Sequence, residues 1–240
     1  MKKRVDVLMF KKGLCRSRTA AAELIKRGLV TINNKSIIKP SEEIEEELDI
    51  HIIKPLPFVS RGGEKLQKAL EVFSVKPSGY VVADIGSSTG GFTDCLLQAG
   101  AQKVYAIDVG TNQLDASLRN DSRVITLEQM DVRKVQLPEL VDLAVIDVSF
   151  ISLTQVLPAV LTLLKNDAEI IALVKPQFEV GQDNLNRQGV VTDKNARNSA
   201  LEKIHAWTTA NHLSEWESIQ SPIIGGTGNI EYLVYIKKTF

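Results

Sequence analysis

The chain has 240 residues, of which 44% are apolar and 24% charged, and its formal net charge is zero. That composition excludes a disordered chain and suits one large α/β domain or a small domain plus a medium one. The neutral total conceals a basic head on an acidic body: residues 1–40 hold eleven Lys and Arg against Asp6 and Glu23 only, an excess of nine positive charges, which points to a polyanionic partner.

In chain order, Val5, Leu8, Met9 and Leu14 fall at roughly helical spacing. Ser17 is placed to cap a second helix over Thr19–Lys26, and Gly28 to end it. The stretches LVTI and KSII flank Asn33-Asn34, a pair that tolerates positive φ and suits a tight hairpin turn. The acidic run Glu42–Glu47 reads as a charged face or loop. Lys54-Pro55-Leu56-Pro57 is stiff and non-helical, so we expect a boundary there, with one domain over residues 1–59 and another over 60–240.

The second part opens with SRGGEKLQKALEVF, whose Leu66, Ala69, Leu70 and Phe73 share one helix face. From Tyr80 strands and helices alternate. YVVADIG, KVYAIDVG, RVITLEQMD, VDLAVIDVSF and AEIIALVKP read as strands; FTDCLLQAG, VLPAVLTLL and residues 193–212 read as helices. IEYLVYIKK is a last strand, antiparallel at the sheet's end. Repeated β-α-β units predict a doubly wound, Rossmann-like parallel sheet.

Cys15 and Cys95 lie in unrelated segments with no Cys-x-x-Cys or His/Cys company, so no metal site is expected, and two free thiols fit a reducing cytosol. Charges interrupt MKKRVDVLMFKKG at once, which does not suit a signal peptide, and no apolar run approaches a membrane span. The expected location is cytoplasmic, with no membrane as primary partner.

The run Asp84-Ile85-Gly86-Ser87-Ser88-Thr89-Gly90-Gly91 sits between a strand and a helix, where a glycine-rich turn lets backbone approach a nucleotide-like ligand. Its spacing, D-x-G-x-x-x-G-G, is not the dinucleotide fingerprint. An acid at the end of the first strand repels a pyrophosphate but suits a cofactor with a positive amino group. Asp84 could hold the amino acid end of S-adenosylmethionine, directly or through water. Asp108, with Val109 after it, ends the second strand where ribose hydroxyls are received. Asp131, read as the end of the third strand, could meet the adenine amino group, and Asp147 ends the fourth over the same crevice.

Four charged residues stand out: Asp147 and Lys175 end buried strands, Glu231 opens the last strand, and Lys65 lies in SRGGEKL, before the first strand. Such a set suits methylation of a hydroxyl. A ribose 2′-OH is a poor nucleophile and must lose its proton as it attacks. A lysine can take that proton if desolvation and a neighbouring cation favour its neutral form. Lys175 is the candidate base and Lys65 the neighbouring cation, with Asp147 and Glu231 orienting the lysines and holding the ribose. Methyl transfer from sulfonium to oxygen is an in-line displacement, so alignment supplies much of the rate.

The motifs SRGGEKL, DIGSSTGGFTD, DVG-x-x-QL, SLRND, DVSFISL, LVKPQFE and GNIEYL together resemble the TlyA group of the FtsJ-like ribosomal RNA methyltransferases, several of which are named hemolysins. The resemblance covers essentially the whole chain. It implies a Lys-Asp-Lys-Glu tetrad on Lys65, Asp147, Lys175 and Glu231, S-adenosylmethionine as cofactor, and 2′-O-methylation of cytidine in ribosomal RNA or a ribosomal subunit. The first segment resembles an S4-type RNA-binding domain. That puts Arg4, Lys11, Lys12, Arg16, Arg18, Lys26, Arg27 and Lys35, with Arg61 beyond the boundary, on an RNA-docking surface. The chain stops a few residues after IEYLVYIKK and so resembles the shorter members, which implies action on the large subunit. One departure is Leu56-Pro57-Phe58-Val59, where some members have Arg-x-Trp-Val. Two other readings compete: a non-catalytic RNA-binding protein on a relic fold, and a membrane-active hemolysin.

Overall fold

A computed structural model describes residues 2–213 and 215–238. The chain forms two compact units, Met1–Ser60 and Arg61–Phe240.

The first unit runs β1 (Lys2–Arg4), α1 (Val5–Lys11), α2 (Arg18–Lys26), β2 (Val30–Ile32), β3 (Lys35–Ile37), β4 (Glu43–Glu45) and β5 (Ile50–Ile52). Apolar positions one turn apart on the two helices, including Val5, Leu8, Met9, Leu24 and Ile25, close over Val30 and Ile32. Ser17 accepts from the Ala20 amide at 3.1 Å, a cap whose loss costs about 1 kcal/mol. Asn33 and Asn34 take φ of 50° and 62°, the left-handed pair that a two-residue hairpin between β2 and β3 demands. β2 also pairs with β5, and β1 pairs with β4. Part of the acidic run is therefore a strand, not a loop. Ile44 is buried while Glu43 and Glu45 face out, so the alternation was masked by charge at every exposed position. Leu14 lies beyond α1 and is exposed.

The second unit runs α3 (Gly62–Val72), β6 (Val81–Ile85), α4 (Gly91–Gln98), β7 (Lys103–Ile107), α5 (Ala116–Arg119), β8 (Val124–Leu127), β9 (Val141–Ile146), α6 (Leu153–Leu163), β10 (Leu164–Val174), α7 (Pro176–Glu179), α8 (Lys194–Ala210), β11 (Glu215–Gln220) and β12 (Tyr232–Lys237). The described strands form one seven-stranded sheet in the order β11-β12-β10-β9-β6-β7-β8. β10, β9, β6, β7 and β8 are parallel; β12 and β11 run antiparallel at one edge. β6 and β9 are fully or almost fully buried, as expected for strands covered on both faces. The chain builds outward from β6 through β7 and β8, then returns to β9 on the other side of β6. That reversal opens a crevice beyond the carboxyl ends of β6 and β9.

Two elements differ from the sequence reading. The third strand stops at Leu127, so Asp131 does not end it. Four residues further on, Asp131 caps a 3-10 turn over Val132–Lys134. The edge strand β11 carries no signal in the sequence. It is exposed on most positions and carries Glu215 and Glu217, so no period-2 apolar signal marks it.

Candidate active site

The glycine turn after β6 packs against the end of β9. Gly86 has φ of +82°, and a Cβ there would lie 2.4 Å from the Asp147 carbonyl oxygen. Only glycine lets the two strand ends approach so closely. Beyond the turn lies a cleft of about 460 Å³, a size that suits a nucleoside-bearing cofactor. Gly86, Ser88, Asp108, Val109, Asp131 and Asp147 line it. Its remaining walls include the apolar side chains of Met130, Val132 and Ile151, which suit the flat face of a base.

The acids differ in state. The Asp108 carboxylate accepts from the Ser88 amide at 2.8 Å and the Gly110 amide at 2.7 Å, so it stands braced at the cleft wall. The Arg133 guanidinium beside Asp131 holds that carboxyl down at about 2, so it is an anion at any working pH. Asp84 is fully buried. Burial pushes its carboxyl up to about 7 despite a 2.6 Å hydrogen bond from the Thr93 hydroxyl, and its Oδ1 has no partner. Asp84, Ser87, Thr89, Gly90 and Gly91 do not line the cleft; they build the turn from behind. A direct grip of Asp84 on a cofactor's amino group is therefore not the observed arrangement. The glycine cradle, the braced Asp108, the anionic Asp131 and the apolar walls together fit a cationic adenosyl cofactor.

A second depression, of about 380 Å³, shares Ser149 and Phe150 with the cleft and is lined further by Lys175, Gln177, Phe178 and Glu231 among others. Lys175 follows β10 directly and its side chain is only 12% exposed. Its Nζ lies 2.7 Å from Asp147 Oδ1, close enough for an ion pair but outside hydrogen-bond geometry. It donates to Ser149 Oγ at 2.8 Å. Lys65, on α3, donates to Glu231 Oε2 at 2.6 Å, and both are nearly buried. The four charged residues thus form two pairs. Lys65 joins the depression through Glu231, which lines it together with Lys175.

Ser149 and Phe150, missed by the sequence reading, stand where the cleft and the depression meet. Phe150 is 90% exposed with φ of +63°, and its ring centroid lies 5.0 Å from that of Phe178. The motif DVSF was visible, but an aromatic after a buried strand reads as core unless its exposure is known. Arg61 is exposed, and its guanidinium would lie 3.8 Å from a Cβ at Gly226, another lining residue.

The basic residues of the first unit divide into two groups. Arg4 makes two hydrogen bonds to the buried Asp6 and Arg18 a third, which hold that carboxyl below the usual carboxylate range. These two arginines, expected on an RNA surface, brace the fold. Arg16 donates to the Phe58 carbonyl, Lys12 to the Leu48 carbonyl and Arg27 to Glu23. Lys11, Lys26 and Lys35 are exposed, and Lys26 and Lys35 have no side-chain partner among the described residues. Among the described residues no His, Cys, Asp and Glu cluster could hold a metal ion, and no helix is long and apolar enough to cross a membrane.

The profile of the FtsJ-like methyltransferase family matches residues 58–238, and that of the S4 domain matches residues 3–50. The chain is 42% identical to the 16S/23S rRNA (cytidine-2'-O)-methyltransferase TlyA of Mycobacterium tuberculosis, over 98% of this chain and 89% of that protein. It is 36% identical to the 23S rRNA (cytidine-2'-O)-methyltransferase TlyA of Campylobacter jejuni, over 92% of this chain and 94% of that protein. A solved structure from Streptococcus thermophilus, named as a hemolysin, is 43% identical and superposes with a TM-score of 0.78, covering 99% of this chain and 89% of that one.

Proposed function

Because the chain belongs to the TlyA/hemolysin A group of FtsJ-like rRNA methyltransferases, we propose that it transfers a methyl group from S-adenosylmethionine to the 2′-oxygen of a cytidine in ribosomal RNA, with Lys175 as general base. The observation that carries this reading is the position of the Lys175 ammonium. It is held by Asp147 and Ser149 at the junction between a cofactor-sized cleft and a second, nucleotide-sized depression.

S-adenosylmethionine supplies an electrophilic methyl group on a sulfonium. Gly86, Ser88 and Val109 would carry the backbone that bears on it, Asp108 would take the ribose hydroxyls, and Asp131 would face the adenine side. Asp147 and Ser149 aim Lys175 Nζ at the depression. After the Lys175 ammonium has released a proton to solvent, the neutral amine takes the 2′-OH proton as the oxygen attacks the methyl carbon and sulfur leaves as the thioether. Glu231, which stands across from Lys175 on the neighbouring strand end and is paired with the buried Lys65, holds the ribose. Most of the acceleration is alignment of oxygen, methyl carbon and sulfur. The exposed lysines of the S4 unit would meet phosphates and supply salt-dependent affinity. The large subunit is the proposed target, since 23S rRNA is common to both relatives' names. Such a substrate places the enzyme's work in the cytoplasm.

The test is transfer of tritiated methyl to purified small and large ribosomal subunits lacking the modification, followed by mapping of 2′-O-methyl positions. Labelled 23S cytidine supports the reading; no label in either subunit overturns it.

A further inference from the structure

The depression that would receive the nucleotide is walled by loops: the chain after β9, the start of α7, the stretch around residues 182–190, and residues 225–231. Loops do not hold a reacting atom to a fraction of an ångström unless something fixes them. Two buried side chains that do not line the depression do this. They belong to GNIEYL and LVKPQFE, but neither is in the charged set assigned to the reaction.

Asn229 is completely buried. Its Oδ1 accepts from the Val191 amide at 2.9 Å. Its Nδ2 donates to the Gly189 carbonyl at 3.0 Å and to Thr227 Oγ1 at 3.1 Å. Gly189 and Thr227 face the depression from two different loops, so one amide ties both walls together. Glu179, at the end of α7, is also buried. Its Oε1 accepts from the Leu153 amide at 2.8 Å, and its Oε2 accepts from Ser152 Oγ at 2.5 Å and from Lys203 Nζ at 3.0 Å. Glu179 thereby ties the chain just beyond Ser149 and Phe150 to the helical turn that carries Gln177 and Phe178.

We infer that Asn229 and Glu179 are positioning residues, which pre-build the acceptor pocket and act on the nucleotide without touching it. This rests on the methyltransferase reading above. Asn229 directs its side-chain hydrogen bonds to loop atoms, and Glu179 directs its own to the start of α6 and to Lys203 of α8, as residues selected to fix geometry would. Asn229 is the cleaner probe, because Gly189, Val191 and Thr227 are absent from the cofactor cleft.

The experiment compares the full-length wild type with Asn229→Ala, Glu179→Ala and Glu179→Gln. It measures methyl transfer to large subunits, S-adenosylmethionine affinity by calorimetry, and amide hydrogen exchange over residues 182–191. The expected result is a fall of about ten-fold or more in kcat/KM for RNA in both alanine variants. Cofactor affinity should stay within about two-fold in Asn229→Ala, exchange at Gly189 and Val191 should quicken, and Glu179→Gln, which keeps the bonds to Leu153 and Ser152, should recover most of the activity. Wild-type kcat/KM in both alanine variants overturns the inference, as does a parallel loss of cofactor affinity in Asn229→Ala, which would mark a general structural role. If Asn229→Ala does not fold, the Glu179 pair decides. If the wild type labels neither subunit, the methyltransferase reading has failed, and unchanged exchange in Asn229→Ala would separately refute the pin.

Discussion

The Lys175 ammonium lies 2.7 Å from the Asp147 carboxylate, and those two residues follow directly on the ends of adjacent parallel strands. The pair is therefore positioned by the sheet rather than by a loop, a rigid support for the proposed base.

Lys175→Ala should lower methyl transfer by about 10²- to 10⁴-fold, the usual contribution of a general base. Cofactor affinity should hardly change, because Lys175 does not line the cofactor cleft. Single-turnover transfer and calorimetry on the same preparation separate the two. Retained turnover would remove Lys175 as base.

Breaking the Lys65–Glu231 pair should destabilise the second unit. Both partners are nearly buried and meet at 2.6 Å. Removing one leaves an uncompensated charge, which costs about 3–5 kcal/mol. Glu231→Ala should show that loss in urea unfolding, and Lys65→Met added to it should recover part. A loss below about 1 kcal/mol would mean that water reaches the orphaned lysine.

The carboxyl of Asp84 stands at about 7, above its unfolded value of 3.8. Between those values the folded state binds more protons than the unfolded one. Asp84 therefore subtracts stability progressively as pH rises from about 4 to 7, and its contribution is most favourable at the acid end. Asp84→Asn should flatten that slope. Unfolding free energies of the two proteins at pH 4, 5.5 and 7 check it: the difference should grow with pH in favour of the variant, and a constant difference would refute the assignment.

RNA affinity should separate the lysines of the first unit from its arginines. Lys26→Ala and Lys35→Ala should each lower the slope of log affinity against log salt by about one, with little change in thermal stability. Arg4→Ala should lower the melting temperature, because it strips two hydrogen bonds from the buried Asp6. Filter binding and thermal scans on the three variants distinguish these outcomes.

The parallel sheet was legible because β6, β7, β9 and β10 are apolar runs ended by Gly or a charge, and the hairpin at Asn33-Asn34 because few other pairs accept that backbone. Asp108, Asp147 and Lys175 were legible for the same reason, as charges at the ends of apolar runs. The exposure of Phe150 was not, since hydrophobicity alone assigns it inward. Nor was the diversion of Arg4 and Arg18 to Asp6. A charge count treats all cations alike, and only three-dimensional contacts show which ones are already satisfied.

The contact between Gly86 and the Asp147 carbonyl has a mechanical meaning. The turn proposed to seat the cofactor and the strand end that pairs with Lys175 are geared through one glycine, with no slack between them. Bulk added at position 86 would not simply narrow the cofactor's seat. It would push the Asp147 backbone away and disturb its ion pair with Lys175, so the proposed cofactor seat and the proposed base would share a single point of failure.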